Sequence, residues 1–312
     1  MKDFVGKTVF LTGGSSGIGL STAGLLAAAG ADVVVFARHE DRLAAALAQI
    51  ESRRVSPAQR FASRPLDVSD HDMVSAVMAA AVESFGAPDL LINNVGRAVP
   101  RSFEDVTFAQ FDETMKTNLY GAWNTISALV PHMKARGGAI VNVSSMAGFI
   151  GVFGYTDYCA SKFAVVGLSE ALRQELRRYG ISVSVLCPPD TDTPGLANED
   201  AAKPAETKAV SAGAKLMQPD DVAKELLKGI RRGTFMIVPG GAGKLAFFMK
   251  RHVPGVVDRI MRRGIRKAQQ ETAATQTAAT QTTATQTTAT QTTATQTTAT
   301  QTAAAGAPRG ER

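Results

Sequence analysis

The chain is predicted to fold as an α/β protein, with one doubly wound parallel sheet covered by helices on both faces. Two observations predict it. Apolar, β-branched runs recur: "TVFLT", "DVVVFA", "LLIN", "AIVNVS", "ISVSVLC" and "TFMIV". Ala- and Leu-rich stretches of helical character separate them, at 17–29, 40–52, 70–85, 108–135 and 158–179. Strands that are apolar throughout, rather than alternating, are buried on both faces. The helices that bury them also carry the crossovers between parallel neighbours. No linker interrupts the pattern before residue 240, so this stretch reads as one domain, 1–241.

The first strand runs into "TGGSSGIG", which places Gly13, Ser15, Ser16, Gly17, Ile18 and Gly19 between a strand and a helix. Glycines there let the backbone approach a pyrophosphate, and the helix start supplies N–H donors and positive dipole. Strand, glycine turn and helix together are the opening of a Rossmann-type dinucleotide fold. The second strand ends at Ala37, which offers no carboxylate to a ribose, and is followed by Arg38 and, a turn later, Arg42. Arginines at this place favour a 2′-phosphate, so the expected cofactor is NADP(H). Two solvated arginines at a helix start are the plainer alternative.

Further along, "YCASK" sets Tyr158 and Lys162 four apart, on one face of a helix. A phenol with a pKa of about 10 becomes useful for proton transfer when a nearby ammonium favours its phenolate. Ser145 ends the preceding strand 13 residues earlier, with Ser144 beside it. Taken singly, Tyr155 and Tyr158 read as packing aromatics and Asn118 as a helix brace.

In order, however, "TGGSSGIG", "LDVSD" with Asp67, "NNVG" at 93–96, Asn118 in "NLYG", Ser145 and "YCASK" resemble the short-chain dehydrogenase/reductase family over roughly residues 5–240. The resemblance implies Tyr158 as proton donor to a carbonyl. It implies Lys162 as holder of the nicotinamide ribose, lowering the Tyr pKa. Ser145 would orient the substrate oxygen, Asn118 would support a relay water, Asp67 and Val68 would contact adenine, and Asn94 and Gly96 would line the cofactor. Val95 departs from the usual Ala. The spacing to Tyr158 favours Ser145 over Ser144.

The stretch "PPDTDTPG", Pro188 to Gly195, follows an apolar strand with a stiff acidic loop. By the resemblance, Pro189 stands where the family has Gly. Pro188, Thr191 and Thr193 would then line the nicotinamide, and a mobile lid would run over about 190–217. The loop, with "KPAET" and "QPDDVAKELLKGI", narrows the resemblance to members that reduce the ketone of a long-chain amino alcohol. Asp190 or Asp192 would pair with the ammonium of such a substrate, unless they only cap the turn. A 3-oxoacyl-thioester reductase shares the whole set of motifs, and a non-catalytic dinucleotide sensor or membrane scaffold shares the fold.

The net charge of +6 is not evenly spread. Residues 244–267 hold eight Lys/Arg and one acid, Asp258, whereas 268–312 hold two of each sign. The first 243 residues are therefore close to neutral. In 242–268, apolar residues recur at near-helical spacing among basic ones, and Pro254-Gly255 should split the segment into two helices. Such a pair reads as an element lying on an anionic membrane surface, or as helices packed on the core with a solvated basic face. No base-stacking motif accompanies it, so nucleic acid is not expected. Residues 272–301 repeat "TAATQ" and then "TTATQ", and 269–312, without large apolar or aromatic side chains, are expected to be disordered.

Two cysteines, Cys159 and Cys187, form neither a disulfide framework nor a metal-ligand spacing. With no signal-peptide pattern and no 18-residue apolar run, the expectation is a cytoplasmic protein, peripheral on the cytosolic face of a membrane. The resemblance implies a homodimer or homotetramer through the helices at 108–135 and 158–179.

Overall fold

The structure is a computed structural model that describes residues 1–211 and 216–274. Four residues of the expected lid and most of the expected tail lie outside the described residues. Seven strands, β1 (Thr8–Thr12), β2 (Asp32–Ala37), β3 (Phe61–Pro65), β4 (Leu90–Asn93), β5 (Gly138–Val143), β6 (Ile181–Leu186) and β7 (Met236–Ile237), form one sheet. Every pairing is parallel, in the order β3-β2-β1-β4-β5-β6-β7. The strand order reverses between β1 and β4, which opens a crevice at the carboxyl ends of the central strands.

The continuous apolar strands divide by parity, as a pleated backbone requires. Val9, Leu11, Val33, Val35, Leu90 and Ile92 face one cluster, covered by α1 (Gly17–Ala28), α2 (Glu40–Glu51) and α9 (Pro219–Arg232). Phe10, Val34, Phe36, Leu91 and Ile140 face the other, covered by α3 (His71–Phe85), α5 (Gly121–Met133) and the end of α6 (Thr156–Leu176). The doubly wound sheet expected from the sequence is thus the observed fold.

Three details differ from the sequence reading. First, β3 was not expected. Its "FASRP" lacks an apolar run, and it forms at the half-exposed edge of the sheet by pairing with β2. Second, the helix expected over 108–135 is not uniform. Between α4 (Phe108–Met115) and α5 it contains a π-helical turn, Lys116–Tyr120, that carries Asn118. Such turns insert one extra residue and re-aim a side chain. Third, the last helix runs over 254–274, past the residue where the disordered tail was expected to start.

The expected break at Pro254 is present. α10 (Gly241–His252) stops at Val253, whose backbone leaves the helical region because the next residue is proline. One side of α10 is packed: Ala246, Phe247 and Met249 meet Phe149, Ile150, Val185 and Val238, and the rings of Phe149 and Phe247 stand edge to face at 5.1 Å.

A chain of buried polar groups runs through the centre. Thr125 donates to Asn93 Oδ1 (2.6 Å), Asn93 Nδ2 donates to Asn142 Oδ1 (2.9 Å), and Asn142 Nδ2 donates to Ser169 Oγ (2.8 Å). It ties β4 and β5 to α5 and α6. Replacing Asn142 with Ala strands the Asn93 amide in the interior, and a stranded buried donor costs about 1–3 kcal/mol. The Asn142→Ala protein should therefore unfold at a lower urea midpoint with an unchanged m-value.

Candidate active site

The glycine turn sits at the carboxyl end of β1, at the switch point. It is held from the neighbouring strand: the Asn94 backbone N–H donates to Thr12 Oγ1 (3.2 Å), and Asn94 Nδ2 donates to the Gly13 carbonyl (3.0 Å). A Cβ on Gly19 would stand 2.1 Å from the Gly13 carbonyl oxygen, so no larger residue fits this fold of the chain. α1 then starts with Ser16, whose side chain caps nothing, and its first turn holds no acid. Among the described residues, its first N–H groups and its positive dipole end face the turn without a partner side chain, as an anion site requires. A dinucleotide pyrophosphate fits here, bounded by Ser15, Ser16, Gly17 and Ile18.

Arg38 follows β2 and is exposed, with no hydrogen bond or ion pair among the described residues; Arg42, on α2, is exposed as well. Asp67 accepts from the Ser69 N–H (2.9 Å) and Ser69 Oγ (2.7 Å). Burial pushes this carboxyl up, but the Ser69 bonds and the Arg38 charge outweigh it and hold it below its usual value. Val68 is buried, and its carbonyl accepts from Asn124 Nδ2 (3.0 Å).

At the end of β5 the two serines part. Ser144 is buried and donates to the Lys162 carbonyl (2.9 Å), whereas Ser145 Oγ accepts from the Ala147 N–H at the open end of the strand. Tyr158 and Lys162 share a face of α6, and the Lys162 Nζ lies 5.6 Å from the centre of the Tyr158 ring. Lys162 is buried, and its ammonium donates to the Val143 carbonyl (3.0 Å). A Cβ on Gly96 would lie 3.0 Å from that ammonium, so Gly96 leaves room beside it for a ligand hydroxyl. Asn118 Oδ1 accepts from the Arg97 N–H (2.8 Å), while Nδ2 donates to the Arg97 carbonyl (3.0 Å) and to Ser161 Oγ (2.9 Å). Both N–H groups of Asn118 are therefore used as a brace, and one lone pair of Oδ1 is left for a further donor.

The electrostatics differ from the sequence reading. Lys162 was expected to lower the Tyr158 pKa. Burial and the negative charges of Glu199 and Asp190 instead raise it, against a hydrogen bond with Ser145. Burial pushes Lys162 down to about 8. The raised pKa holds the phenol protonated, the form that gives a proton away.

The loop after β6 places its residues unequally. Pro188 is buried, and its carbonyl accepts from the Met146 N–H (3.1 Å), which joins the loop to the Ser145 turn. Thr191 is buried and donates to the Pro189 carbonyl (2.8 Å). Thr193 caps α7 (Pro194–Asp200) by accepting from the Leu196 N–H. Its methyl would touch a Cβ on Gly17 at 2.9 Å, so the lid begins against the glycine turn. The lid continues through α8 (Ala205–Ser211). Of the two aspartates, Asp190 is half-buried and its charge reaches Tyr158. Asp192 is exposed and accepts from Gln218 (3.4 Å).

Two groups escaped the sequence reading. Asp157 is 1% exposed and accepts from Thr114 Oγ1 (2.8 Å), Gln110 Nε2 (3.4 Å) and the Tyr158 N–H (2.8 Å), which locks the start of α6 to α4. Its only signal was an acid in the first turn of a helix. Glu199 accepts from the Tyr155 hydroxyl (2.8 Å) beside Tyr158, and nothing in its local sequence marked it.

Residues 7–204 match the short chain dehydrogenase family. The chain is 40% identical over 240 residues to a 3-ketodihydrosphingosine reductase of Bos taurus, covering 76% of this chain and 72% of that one. It is 41% identical over 232 residues to a 3-dehydrosphinganine reductase of Danio rerio, covering 74% and 70%. A ketoacyl reductase of Nostoc, HetN, is 31% identical over 269 residues, covering 84% and 90%. Among solved structures, a short chain dehydrogenase/reductase of Burkholderia phymatum in complex with NAD superposes with a TM-score of 0.72 at 25% identity, covering 82% of this chain and 96% of that one. By its matched residues, its relatives and its fold, the chain belongs to the short-chain dehydrogenase/reductase family.

Proposed function

We propose that the protein reduces the ketone of 3-ketosphinganine, a long-chain amino ketone, with NADPH. The observation that carries this reading is the 40% identity, over three-quarters of the chain, to a 3-ketodihydrosphingosine reductase. A 3-oxoacyl-thioester reductase is the second reading, favoured by the 31% identity to the Nostoc ketoacyl reductase. NADPH oxidation with purified protein separates them: turnover is expected with 3-ketosphinganine and not with a 3-oxoacyl thioester.

In this reading the bound nicotinamide supplies the hydride. The side chains handle the oxygen. Ser145 donates a hydrogen bond to the carbonyl, and Tyr158 gives its phenolic proton to the oxygen as negative charge develops there. The phenolate that remains is formed beside the Lys162 ammonium, which favours it. Lys162 also holds the nicotinamide ribose in the space left by Gly96. Asn118 keeps the Arg97 backbone and Ser161 in place, and its free lone pair supports a relay water. Pro188, Thr191 and Thr193 close over the nicotinamide. Asp67 and Val68 border adenine, and Arg38, assisted by Arg42, pairs with a 2′-phosphate.

The long alkyl chain of such a substrate resides in a bilayer, and the C-terminal helices supply a surface for one. Leu245 and Phe248 on α10, Val253 at the break, and Val256 and Ile260 on the last helix are 42–58% exposed. Arg251, Arg259, Arg263 and Arg266 are exposed around them. The opposite side packs on Phe149 and Ile150, just past the Ser145 turn. A basic amphipathic surface of this kind lies in the interface of an anionic membrane without crossing it, each basic residue contributing roughly 1 kcal/mol. Among the described residues, no helix is long and apolar enough to cross a membrane. We place the protein on the cytosolic face of a membrane, as a homodimer or homotetramer through α4–α6, where Phe108, Trp123 and Phe163 are exposed.

Three outcomes follow from this reading. Tyr158→Phe keeps the ring and removes the proton, so kcat should fall roughly 10²- to 10⁴-fold with the fold unchanged by circular dichroism; near-normal turnover refutes the acid assignment. NADPH should be preferred over NADH, and Arg38→Ala should erase roughly ten- to hundredfold of that preference in kcat/KM, since a charged hydrogen bond contributes about 1.5–3 kcal/mol. Vesicle binding is best tested in the full chain, because truncation would uncover Phe149. Replacing Leu245, Phe248 and Ile260 with Ser should abolish salt-sensitive co-sedimentation with phosphatidylserine vesicles while NADPH oxidation with a short-chain, water-soluble ketone persists. Co-sedimentation that survives the substitution places the membrane contact elsewhere.

A further inference from the structure

The first helix of the lid brings an underpaired carboxylate to the reacting phenol. Tyr155 lies one turn before Tyr158 with ring centres 5.5 Å apart, and its hydroxyl donates to Glu199 Oε2 at 2.8 Å. Glu199 is half-buried on α7. Among the described residues this hydroxyl is the one hydrogen-bond partner of its carboxylate, and the half-buried carboxylate of Asp190 has none. Lys203, whose charge reaches Glu199, is committed to Asp200 at 2.6 Å. The charges of Glu199 and Asp190 both reach Tyr158 and Tyr155, and that of Glu199 reaches Lys162.

Carboxylates withdrawn from water are costly unless a cation or donors satisfy them. Among the described residues, Glu199 has one such donor, the Tyr155 hydroxyl, and the Asp190 carboxylate has none. If the ketone oxygen sits on the Tyr158 hydroxyl, an ammonium on the adjacent carbon lies in the field of these two anions. On the reading of the protein as an amino-ketone reductase, we infer that Glu199, with Asp190, is the specificity-determining seat for the substrate ammonium, and that Asp192 is not part of it. The Tyr155 hydroxyl fixes the Glu199 carboxylate in that position, which makes Tyr155 a positioning residue.

The competing role for Glu199 is a clasp that merely docks the lid on α6, and two substitutions separate them. Glu199→Gln keeps an oxygen for the Tyr155 hydroxyl and removes the charge. Tyr155→Phe removes the clasp and keeps the charge. The measurement is the ratio of kcat/KM for a short-chain 2-amino-3-ketone to that for the same ketone lacking the amine, with NADPH. In Glu199→Gln the ratio should fall at least tenfold, chiefly through KM for the amino ketone. Asp190→Asn should lower it by a smaller factor, Asp192→Asn should leave it within twofold, and Tyr155→Phe should lower it less than Glu199→Gln. A ratio within twofold of wild type in Glu199→Gln, while wild type still reduces the amino ketone, overturns the ammonium seat and leaves the reductase reading standing. Wild-type protein that reduces the neutral ketone and not the amino ketone overturns both.

Discussion

The site depends on a reciprocal clasp between the end of β5 and the second turn of α6. The Ser144 hydroxyl donates to the Lys162 carbonyl, and the Lys162 ammonium donates to the Val143 carbonyl. Each half would be an ordinary buried hydrogen bond. Together they fix how far α6 can slide or turn against the strand, and so how Tyr158 stands relative to Ser145. The bond from Nζ also explains how a buried ammonium is tolerated, although burial still lowers its pKa. A second clasp acts from the other side. Asp157 collects Thr114, Gln110 and its neighbour's N–H, and Asn118 reaches Ser161 from the π-helical turn.

These clasps work because the sheet beneath them is rigid. Its two faces are filled by separate clusters of fully buried side chains, and interiors so packed do not deform continuously. The polar chain from Thr125 through Asn93 and Asn142 to Ser169 crosses this interior with its members bonded to one another. It fixes α5 and α6 to the central strands directly below the site. Among the described residues, the segment after β6 meets the body through Thr193 against Gly17, Thr207 on the Phe153 carbonyl, and Glu199 on Tyr155.

How legible each part was in the sequence follows from the range of the forces involved. Six strands were readable because their runs are mostly apolar along their length, including "TFMIV" of β7 at the other edge. β3 was not, because an edge strand half in water tolerates Ser and Arg, and only pairing with β2 marks it. The glycine turn was readable because its constraint is steric and local. The π-helical turn under Asn118 was not, since it depends on how α4 and α5 are seated on the body. Of the two aspartates singled out for an ammonium, Asp190 lies in the field at Tyr158, while Asp192 is exposed.

By itself, then, the sequence determined the doubly wound sheet, the cofactor turn at its switch point, the shared face of Tyr158 and Lys162, and the helix break at Pro254. Each rests on strand or helix periodicity, on steric room at glycine, or on proline's fixed ring, all of which act within a few residues. Spacing to Tyr158 already favoured Ser145 over Ser144, and the tertiary structure supplied the reason: Ser144 is consumed by the clasp while Ser145 stays at the open end of the strand. The tertiary structure alone brought Glu199 to Tyr155, 44 residues away along the chain, and set one face of α10 against Phe149 while leaving Phe248 in solvent. Those outcomes depend on which surfaces meet when the helices pack, and no periodicity along the chain encodes that.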